Sequence, residues 1–409
     1  MGVLNVIGLG YIGLPTAMIF AANGVEVVGT DYNKNIVNSL TSGKLTFEEE
    51  GLKELFDKAV SKGIKFTNEY IKTDRYIITV PTPYLSDTKK IDSTYLINAV
   101  DTVLDYCEKN AIIVIESTIS PGTIDKYIKP LIAKKGFTLG LDLHIAHAPE
   151  RIIPGNMVYE LENNSRTIGV DSVEIGEKVK SWYQSFCKGE IVVTDIKTAE
   201  MSKVVENTFR DINIAFANEL ARICNKEGMD VYELIKIANK HPRVNILQPG
   251  PGVGGHCIPV DPWFLVGDYP DIVNLILAGR QVNDSMPHYV LDRINYIMKE
   301  NNITDFAKVG LYGLTYKENI DDMRESPTLQ LLQVIQENKI KDIRIYDPWI
   351  TEDKFDNQYH DIENFLEGIE LVIVLVQHDE IKEKQELLSN KIVYDTRNVI
   401  KFGKRIYKL

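Results

Sequence analysis

Short, uninterrupted apolar runs recur through the first 190 residues of the chain, and an amphipathic, helix-like stretch follows most of them. Strands of a parallel sheet are buried on both faces, so their sequences are continuously apolar rather than alternating. The pattern therefore predicts an α/β domain with a mostly parallel sheet. The predicted strands are residues 4–7, 25–29, 76–80, 112–116, 144–147 and 191–193.

A glycine-rich turn follows the first apolar run directly. Its sequence, VIGLGYIGLP, places Gly8, Gly10 and Gly13 in G-x-G-x-x-G spacing before a helical pattern. The first glycine permits a tight turn, the second lets the backbone approach a pyrophosphate, and the third lets the helix pack against the strand. The motif predicts a dinucleotide site, although a glycine-rich turn without a ligand is the alternative.

An acidic residue at the end of the second predicted strand specifies the cofactor. Asp31 stands 18 residues after Gly13, where a carboxylate accepts hydrogen bonds from an adenosine ribose and repels a 2′-phosphate. We therefore expect NAD rather than NADP. Thr82, Ser117 and Thr118 follow later strands, and we expect them to line the same cleft because α/β sheets bind ligands beyond the carboxyl ends of their strands.

A helical period begins at residue 198 and continues to about residue 239, with one apolar face. It predicts a helix of about 25 to 30 residues that Gly228 interrupts. Such a helix is a spine between domains, a dimer surface or a core helix. Lys203, Asn207 and Arg210 share one of its faces. A charged stripe is usually solvated, but a lysine beside apolar residues can have a lowered pKa and transfer protons.

The α/β alternation resumes beyond residue 303. Strands are predicted at residues 308–314, 342–346, 371–376 and 392–394, and we find no sequence repeat between the two halves. The predicted fold class is α/β, with two Rossmann-like parallel-sheet domains joined by a long central helix. We expect an N-terminal dinucleotide-binding domain at 1–197, a central helical dimerisation and catalytic region at 198–300, and a C-terminal α/β domain at 301–409.

A shaped loop connects the helical region to the rest of the chain. Residues 248–262, QPGPGVGGHCIPVDP, contain too many glycines and prolines for a regular element. Cys257 in this loop is a candidate nucleophile, which a nearby lysine or His256 could activate. Asp261 is a candidate to hold a water or a proton. A loop cysteine without a role is the alternative.

A thiol beside a dinucleotide suggests a particular chemistry. Cysteine can trap an aldehyde as a thiohemiacetal, whose oxidation gives a thioester that water cleaves to a carboxylate. The enzyme would thus oxidise a primary alcohol twice. One alternative is a single-hydride β-hydroxyacid dehydrogenase, which lacks the cysteine loop and the C-terminal domain. The other is a non-catalytic NAD-sensing protein, which the joint presence of Cys257, Lys203, Asn207 and Asp261 disfavours.

Charge and cysteine content exclude several classes of function. The chain has 46 Lys and Arg against 58 Asp and Glu, for a net charge of −12. Without a basic run, we expect neither nucleic-acid nor membrane partners. No apolar run reaches the roughly 18 residues of a membrane span, and there is no signal-peptide pattern. The four widely separated cysteines predict no metal site and a reducing environment, so we expect a cytoplasmic protein.

At this point the sequence resembles the UDP-glucose/GDP-mannose dehydrogenase family. The matching stretches follow the family's order along the whole chain: GLGYIGLP, VPTP, ESTISPGT, APERIIPG, AEMSKVVENTFRDINIAFANE, HPRVNILQPGPGVGGHCIPVDPWF, GLTYKENIDDMRESP and YDTRN. The resemblance implies an NAD-binding domain, a central dimer contact and a C-terminal UDP-binding domain. It also implies four-electron oxidation of the C6 hydroxyl of a UDP-sugar, with two NADH formed per turnover by a homodimer or higher homo-oligomer.

The resemblance also implies roles for individual residues. Cys257 would be the nucleophile and Lys203 the general acid/base, while Asn207 and Asp261 would orient the substrate and the hydrolytic water. The implied residues near the reacting C6 carbon are Glu150 and Thr118. The implied cofactor contacts are Gly8, Gly10, Tyr11, Ile12, Gly13, Asp31, Thr82, Thr118 and Arg324. The implied substrate contacts are Glu150, Arg151, Ile152, Lys203, Asn207, Arg210, His241, Arg243, Asn245, Gly254, Tyr316 and Lys317. Arginines suit this ligand because their planar fork binds diphosphate oxygens in pairs.

Two stretches bear on the identity of the sugar. Glucose-specific members typically show PEFL where this chain has PERI at residues 149–152, and HPRVN at residues 241–245 resembles the N-acetylmannosamine type. The resemblance therefore favours UDP-N-acetyl-D-mannosamine, with UDP-glucose or another UDP-hexose as the alternative. One hypothesis is that Arg151 binds the acetamido carbonyl.

Overall fold

The computed structural model describes residues 2–85, 87–152, 155–255 and 257–409. The chain divides into two compact units, Met1–Glu206 and Asn207–Leu409. Each unit is built on its own parallel or mostly parallel sheet with helices between successive strands. The predicted α/β fold class is confirmed. The three-part division at residues 197 and 300 stays a prediction.

The first unit contains an eight-stranded sheet in the order β3-β2-β1-β4-β5-β6-β7-β8. The first six strands in this order are parallel, β7 is antiparallel to β6, and β8 is parallel to β7. The strands are β1 (Leu4–Ile7), β2 (Val27–Thr30), β3 (Lys65–Thr67), β4 (Arg75–Ile78), β5 (Ala111–Ile115), β6 (Leu143–His147), β7 (Arg166–Val170) and β8 (Ile191–Thr194). The helices are α1 (Gly13–Ala22), α2 (Lys34–Thr41), α3 (Leu52–Ser61), α4 (Thr94–Tyr106), α5 (Lys129–Lys134), α6 (Met157–Asn163) and α7 (Val173–Tyr183), with a π-helical turn at Ile124–Ile128.

All six predicted strands of this unit are present, with ends shifted by at most two residues. Two further strands were not predicted. The three-residue strand β3 lies at the edge of the sheet and begins with the exposed Lys65, so its sequence has no apolar run. The strand β7 begins with Arg166, a charged residue that is nonetheless buried.

The long helix α8 (Ile196–Glu227) has 32 residues. Gly228 follows it with a φ of +69°, a left-handed conformation that favours glycine and commonly ends helices. The predicted long central helix and its interruption at Gly228 are therefore confirmed. Because one helix is continuous over this span, Lys203 and Asn207 lie one turn apart along it.

The second unit contains a six-stranded, fully parallel sheet in the order β11-β10-β9-β12-β13-β14. The strands are β9 (Val309–Tyr312), β10 (Arg344–Tyr346), β11 (Gln358–Tyr359), β12 (Leu371–Val374), β13 (Ile392–Asp395) and β14 (Arg405–Lys408). The helices are α9 (Val231–Ala238), α10 (Asp261–Asp268), α11 (Asn274–Asp284), α12 (Met286–Glu300), α13 (Pro327–Glu337), α14 (Ile362–Leu366) and α15 (Asp379–Glu383), with short 3₁₀ turns at Phe306–Lys308 and Gln385–Leu388. The sequence did not predict the short β11 or the outer strand β14.

The two sheets repeat one topology, although no repeat was visible in the sequence. In chain order, the six strands of the second sheet are arranged as 3-2-1-4-5-6, and β1 to β6 of the first sheet have the same arrangement. This is the order of a doubly wound nucleotide-binding sheet. Even the acidic turn recurs, because Asp31 accepts the backbone N–H of Leu9 at 2.7 Å and Asp347 accepts that of Leu314 at 2.6 Å.

The repeated acidic turn differs in its surroundings. Asp347 also lies 3.1 Å from Nε2 of His378, and both side chains are fully enclosed. The backbone N–H of Asn319 donates to Nδ1 of His378 at 3.0 Å. Nδ1 is therefore the acceptor nitrogen, which leaves the proton on Nε2 to be donated to Asp347.

Apolar residues cover both faces of the second sheet. One cluster packs residues of α8, α12 and α13 against the strands, and another packs α14 and α15 against the opposite face. The first sheet is likewise enclosed by α1, α3, α6 and α7. Two-sided burial explains the continuous apolar runs of the sequence. No helix in the described part of the chain has the length and apolar character needed to cross a membrane.

Candidate functional site

The glycine turn between β1 and α1 has the geometry of a pyrophosphate cradle. Gly8 has a φ of +90°, and a Cβ on Gly13 would lie 1.8 Å from the carbonyl oxygen of Gly8. These two positions therefore accept only glycine. A Cβ on Gly10 would meet no atom within 4 Å, so the open side of the turn lies at the glycine where backbone and pyrophosphate approach each other.

Asp31 completes this turn. Its side chain is buried, with one carboxylate oxygen accepting the N–H of Leu9 and the other accepting that of Asn33 at 2.8 Å. The carboxylate is thereby fixed at the carboxyl end of β2, the position from which such a group reaches an adenosine ribose. The ring of Tyr11 stacks on Phe47 with centroids 4.3 Å apart, and Ile12 is half-buried beside it. These residues fit an NAD dinucleotide.

Two further predicted strand ends lie side by side. The hydroxyl of Thr82 donates to the carbonyl of Thr118 at 2.6 Å, and the hydroxyl of Ser117 donates to the carbonyl of Val80 at 2.7 Å. The turns after β4 and β5 are thus hydrogen-bonded to each other. They border the same edge of the sheet as the glycine turn, as predicted from the order of the strands.

The segment after β6 carries Glu150 and Arg151. Glu150 is buried, and its carboxylate lies 2.6 Å from the guanidinium of Arg166. The guanidinium of Arg151 donates to Ser165 and to Thr167 at 3.0 Å, and pairs with Glu206 at 2.6 Å. Arg151 therefore braces its own segment against β7 and α8. The next residue, Ile152, packs in the core of the first unit, while Ile153 and Pro154 lie outside the described residues.

The cysteine loop leads directly into α10. The carbonyl of Cys257 accepts the N–H of Asp261 at 2.8 Å, which starts the first turn of that helix. Asn207 on α8 donates from its amide to the carboxylate of Asp261 at 2.6 Å, and both side chains are buried. Lys203, one turn earlier on α8, is buried as well. Cys257 itself is half-buried, and His256 lies outside the described residues.

Tyr316 packs against the two glycines that precede the cysteine. A Cβ on Gly254 would lie 2.9 Å from Cβ of Tyr316 and 2.7 Å from the carbonyl oxygen of Glu325. Gly255 has a φ of +91°, and a Cβ there would meet the Tyr316 ring at 3.1 Å. The structure thus brings together Gly254 and Tyr316, which the sequence predicted as substrate residues, and half-buried Lys317 adjoins them.

Polar side chains of α8 hold the cysteine loop and the segment before it, and the sequence analysis missed them. The amide of Asn213 donates to the carbonyl of Asn245 and accepts the N–H of Leu247, both at 2.9 Å. Asn218 accepts the N–H of Gly250 at 2.9 Å. These asparagines fix the backbone on either side of residue 248. Their spacing from Asn207 along α8 was the one signal that could have identified them.

A buried polar network lies behind these asparagines. Asn283 on α11 donates to Asp211 and accepts from Asn218, and Arg280 pairs with Asp211 at 2.5 Å. Burial raises the pKa of Asp211, although Arg280 and Asn283 oppose the rise. The network fixes the face of α8 that carries Asn218.

Other predicted contacts are on the surface of the second unit. Arg210, His241, Arg243 and Asn245 are exposed. Arg324 is also exposed, and its guanidinium forms a two-pronged pair with Asp322, with Nε at 2.9 Å and Nη2 at 2.8 Å from the carboxylate. The three arginines and the histidine are available to an anionic ligand, although Arg324 would have to leave Asp322 or share it.

The fold and these groups define the class of protein: a nicotinamide-dependent oxidoreductase with a second nucleotide-type sheet and a thiol in a glycine-bounded loop. Three family models match the chain. They are the NAD binding domain, the central domain and the UDP binding domain of the UDP-glucose/GDP-mannose dehydrogenase family, at residues 3–187, 197–285 and 310–402. The chain belongs to this family, which confirms the resemblance inferred from its motifs.

Known proteins show similarity over almost the whole chain. A UDP-N-acetyl-D-mannosamine dehydrogenase of Methanococcus vannielii is 43% identical, covering 97% of this chain and 92% of its own. An NDP-N-acetyl-D-galactosaminuronic acid dehydrogenase of Ralstonia nicotianae is 39% identical, covering 97% and 96%. The solved UDP-N-acetyl-mannosamine dehydrogenase of Staphylococcus aureus is 41% identical with a TM-score of 0.89, covering 99% and 98%.

The family and the cradle together establish the coarse activity. The chain is an NAD-dependent UDP-sugar dehydrogenase, and the prediction of NAD as its cofactor is confirmed. The predicted C-terminal UDP-binding domain coincides with the matched UDP binding domain.

Proposed function

We propose that this enzyme oxidises the C6 hydroxyl of UDP-N-acetyl-D-mannosamine to the carboxylate, with two NADH formed per sugar. The supporting observation is the similarity, over nearly full length, to dehydrogenases named for this substrate. The PERI and HPRVN stretches support the same sugar. The Ralstonia relative keeps a second N-acetylated hexose open, and UDP-glucose remains the more distant alternative.

Bound NAD accepts hydride from C6, and the side chains supply the remaining chemistry. Lys203 takes the proton of the C6 hydroxyl as the alcohol becomes an aldehyde. The Cys257 sulfur then adds to the aldehyde carbon, and the resulting thiohemiacetal loses a second hydride to become a thioester. Water breaks the C–S bond, which releases the carboxylate and restores the thiol. Overall, one alcohol, one water and two NAD⁺ give one carboxylate, two NADH and three protons.

Asp261 and Asn207 are proposed to orient the water and the substrate. The Asn207 amide donates to the Asp261 carboxylate at 2.6 Å, which fixes both groups next to the first turn of α10. The turn that begins at the Cys257 carbonyl places the same aspartate four residues after the nucleophile. We therefore expect Asp261 to be an acceptor for the attacking water. Thr118 and Glu150 are proposed to lie beside the C6 carbon.

The remaining substrate contacts are proposed to hold the diphosphate and the sugar. Arg210, His241 and Arg243 are exposed cationic or protonatable groups, and they would meet the anionic ligand, some of them from the partner subunit. Asn213 fixes the backbone of Asn245 in that segment. Tyr316, Lys317 and Gly254 would complete the site beside the cysteine loop. A nucleophilic thiol also needs a reducing environment, which supports a cytoplasmic location.

Counting NADH tests this proposal directly. Two equivalents of NADH per UDP-N-acetyl-D-mannosamine are expected, with UDP-glucose, UDP-galactose and UDP-N-acetylgalactosamine oxidised far more slowly. The measurement is absorbance of NADH at limiting sugar, together with analysis of the product. A single equivalent with aldehyde released would instead support the single-hydride class, and a preference for another hexose would reassign the substrate.

A second proposal concerns the oligomer, which we expect to be a homodimer formed through α8. Phe209, Phe216 and Ile223 recur every seven residues along this helix, and their side chains are 64%, 50% and 53% exposed. Residues at this spacing form one apolar stripe. Such a stripe on a soluble surface favours a partner of the same kind, because an isologous contact buries it twice.

Phe216→Asp is expected to weaken self-association on the order of 30-fold or more, because it places a charge in the centre of the buried stripe. Sedimentation velocity across a concentration series measures the shift from dimer to monomer. Val173→Asp is the matched control, because Val173 is equally apolar and 74% exposed on α7. An unchanged dimer in the Phe216 variant would contradict the α8 interface.

A further inference from the structure

A single buried guanidinium in the first unit faces two buried carboxyl groups. Arg166 Nη2 lies 2.6 Å from Oε2 of Glu150, and Nη1 lies 4.0 Å from Oε1 of Glu116. All three side chains are almost completely enclosed. A buried charge is costly unless it is paired, and one cation cannot neutralise two carboxylates.

The second carboxyl is held independently of the cation. The hydroxyl of Tyr183 donates to Oε1 of Glu116 at 2.5 Å, and the hydroxyl of Thr16 donates to Oε2 at 3.3 Å. Thr16 lies on α1, directly after the glycine turn. Glu116 immediately precedes Ser117 and Thr118, so the group connects the cofactor helix with the end of β5.

The guanidinium itself is fixed in position. Arg166 lies over the rings of Tyr183 and Phe186, at 4.8 and 5.3 Å from their centroids. The backbone N–H of Arg151 donates to the other oxygen of Glu150 at 2.7 Å. Glu150 is therefore held at both oxygens, and Arg166 has no room to follow one carboxyl at the expense of the other.

The titration of Glu116 reflects this arrangement. Burial raises its pKa most, Arg166 opposes the rise and the charge of Glu150 adds to it, which leaves the pKa of Glu116 at about 7. Burial alone would lower the pKa of Arg166, but Glu150 and Glu116 raise it. The guanidinium therefore stays charged, and Glu116 is the member of the group that changes charge near neutral pH.

We propose that Arg166 and Glu116 are positioning residues for Glu150: Arg166 holds the Glu150 carboxylate in place, and Glu116 competes for the same guanidinium and so sets how readily Glu150 ionises. The inference rests on the proposed placement of Glu150 beside the reacting carbon. The titratable groups around Arg166 are Glu150, Glu116, Tyr183 and Cys187, and Tyr183 keeps its proton because burial and Glu116 raise its pKa. Near neutral pH, the competition therefore depends on the proton of Glu116.

Glu116→Gln tests the competition, because it removes one charge with little change of shape. Without the Glu116 charge, Glu150 no longer experiences repulsion and ionises at lower pH. The acidic limb of the kcat/KM profile is therefore expected to move down by on the order of one pH unit. Arg166→Lys is expected to keep a limb within a fraction of a unit of wild type, whereas Arg166→Met moves the limb upward.

Controls separate this inference from a structural role and from the sugar assignment. Glu177→Gln removes an exposed carboxylate of α7 and is expected to leave the profile unchanged. The profiles are measured with whichever UDP-hexose the wild type oxidises, so that a wrong sugar assignment leaves the test intact. A Glu116→Gln enzyme that is slower at every pH without a moved limb would overturn the inference. If Arg166→Met does not fold, the Glu116→Gln result decides.

Discussion

Cys257→Ser is expected to lower the rate of carboxylate formation on the order of 10³-fold or more, because serine cannot replace the thiolate as nucleophile and thioester donor. The NADH yield per sugar should fall to one equivalent or less, since the second hydride transfer depends on the covalent adduct. Rapid-quench analysis of product, together with NADH absorbance, measures both effects. Mass spectrometry of a stalled wild-type turnover should place the sugar on the loop that contains Cys257.

The matched control for this variant is Cys107→Ser. Cys107 is also half-buried, but it follows α4 in the first unit, remote in sequence from the glycine-bounded loop. It should retain two NADH per sugar. Two equivalents from the Cys257→Ser enzyme would refute the covalent mechanism, because the aldehyde would then be oxidised without a sulfur adduct.

Lys203→Ala is expected to lower kcat by about 10² to 10⁴-fold, the usual contribution of a positioned acid/base. KM for the UDP-sugar should change much less, because the loss concerns proton transfer more than ground-state binding. Steady-state kinetics with both substrates varied gives the two parameters. The prediction rests on a buried lysine one turn before Asn207, whose amide holds Asp261.

Lys226→Ala provides the control for the lysine. Lys226 lies near the end of the same helix and is exposed, so its loss removes a comparable charge without touching the proposed site. We expect kcat within a factor of two of wild type, in line with ordinary surface substitutions. A Lys203→Ala enzyme with less than a tenfold loss would remove this lysine from the chemistry.

Local sequence signals account for much of the fold. Two-sided burial makes the inner strands continuously apolar, which is why β1, β5 and β12 could be recognised. The strand β7 could not, because its first residue is a buried arginine whose partners, Glu150 and Glu116, are distant in the sequence. The repeat of strand order was invisible for a similar reason, since topology constrains the burial pattern but not the identity of the side chains.

The candidate site was predictable where chemistry demands a special residue. Glycines at positions 8 and 13 follow from backbone approach and a positive φ, and the thiol of Cys257 stands out because no regular element can contain its loop. Supporting residues give no such signal. Asn213 and Asn218 act through hydrogen bonds to backbone groups more than 30 residues away, and an asparagine on a helix looks the same whether it fulfils this role or faces solvent.

The enclosed imidazole beside Asp347 has a consequence for how the two sheets divide their labour. Both sheets offer an aspartate at the same turn, so a coenzyme molecule meets two superficially equivalent berths. In the second one, His378 already occupies the flank of the carboxylate and donates to it. An adenosine entering there would have to expel a buried side chain, which discourages the coenzyme from blocking the sheet assigned to the uridine nucleotide.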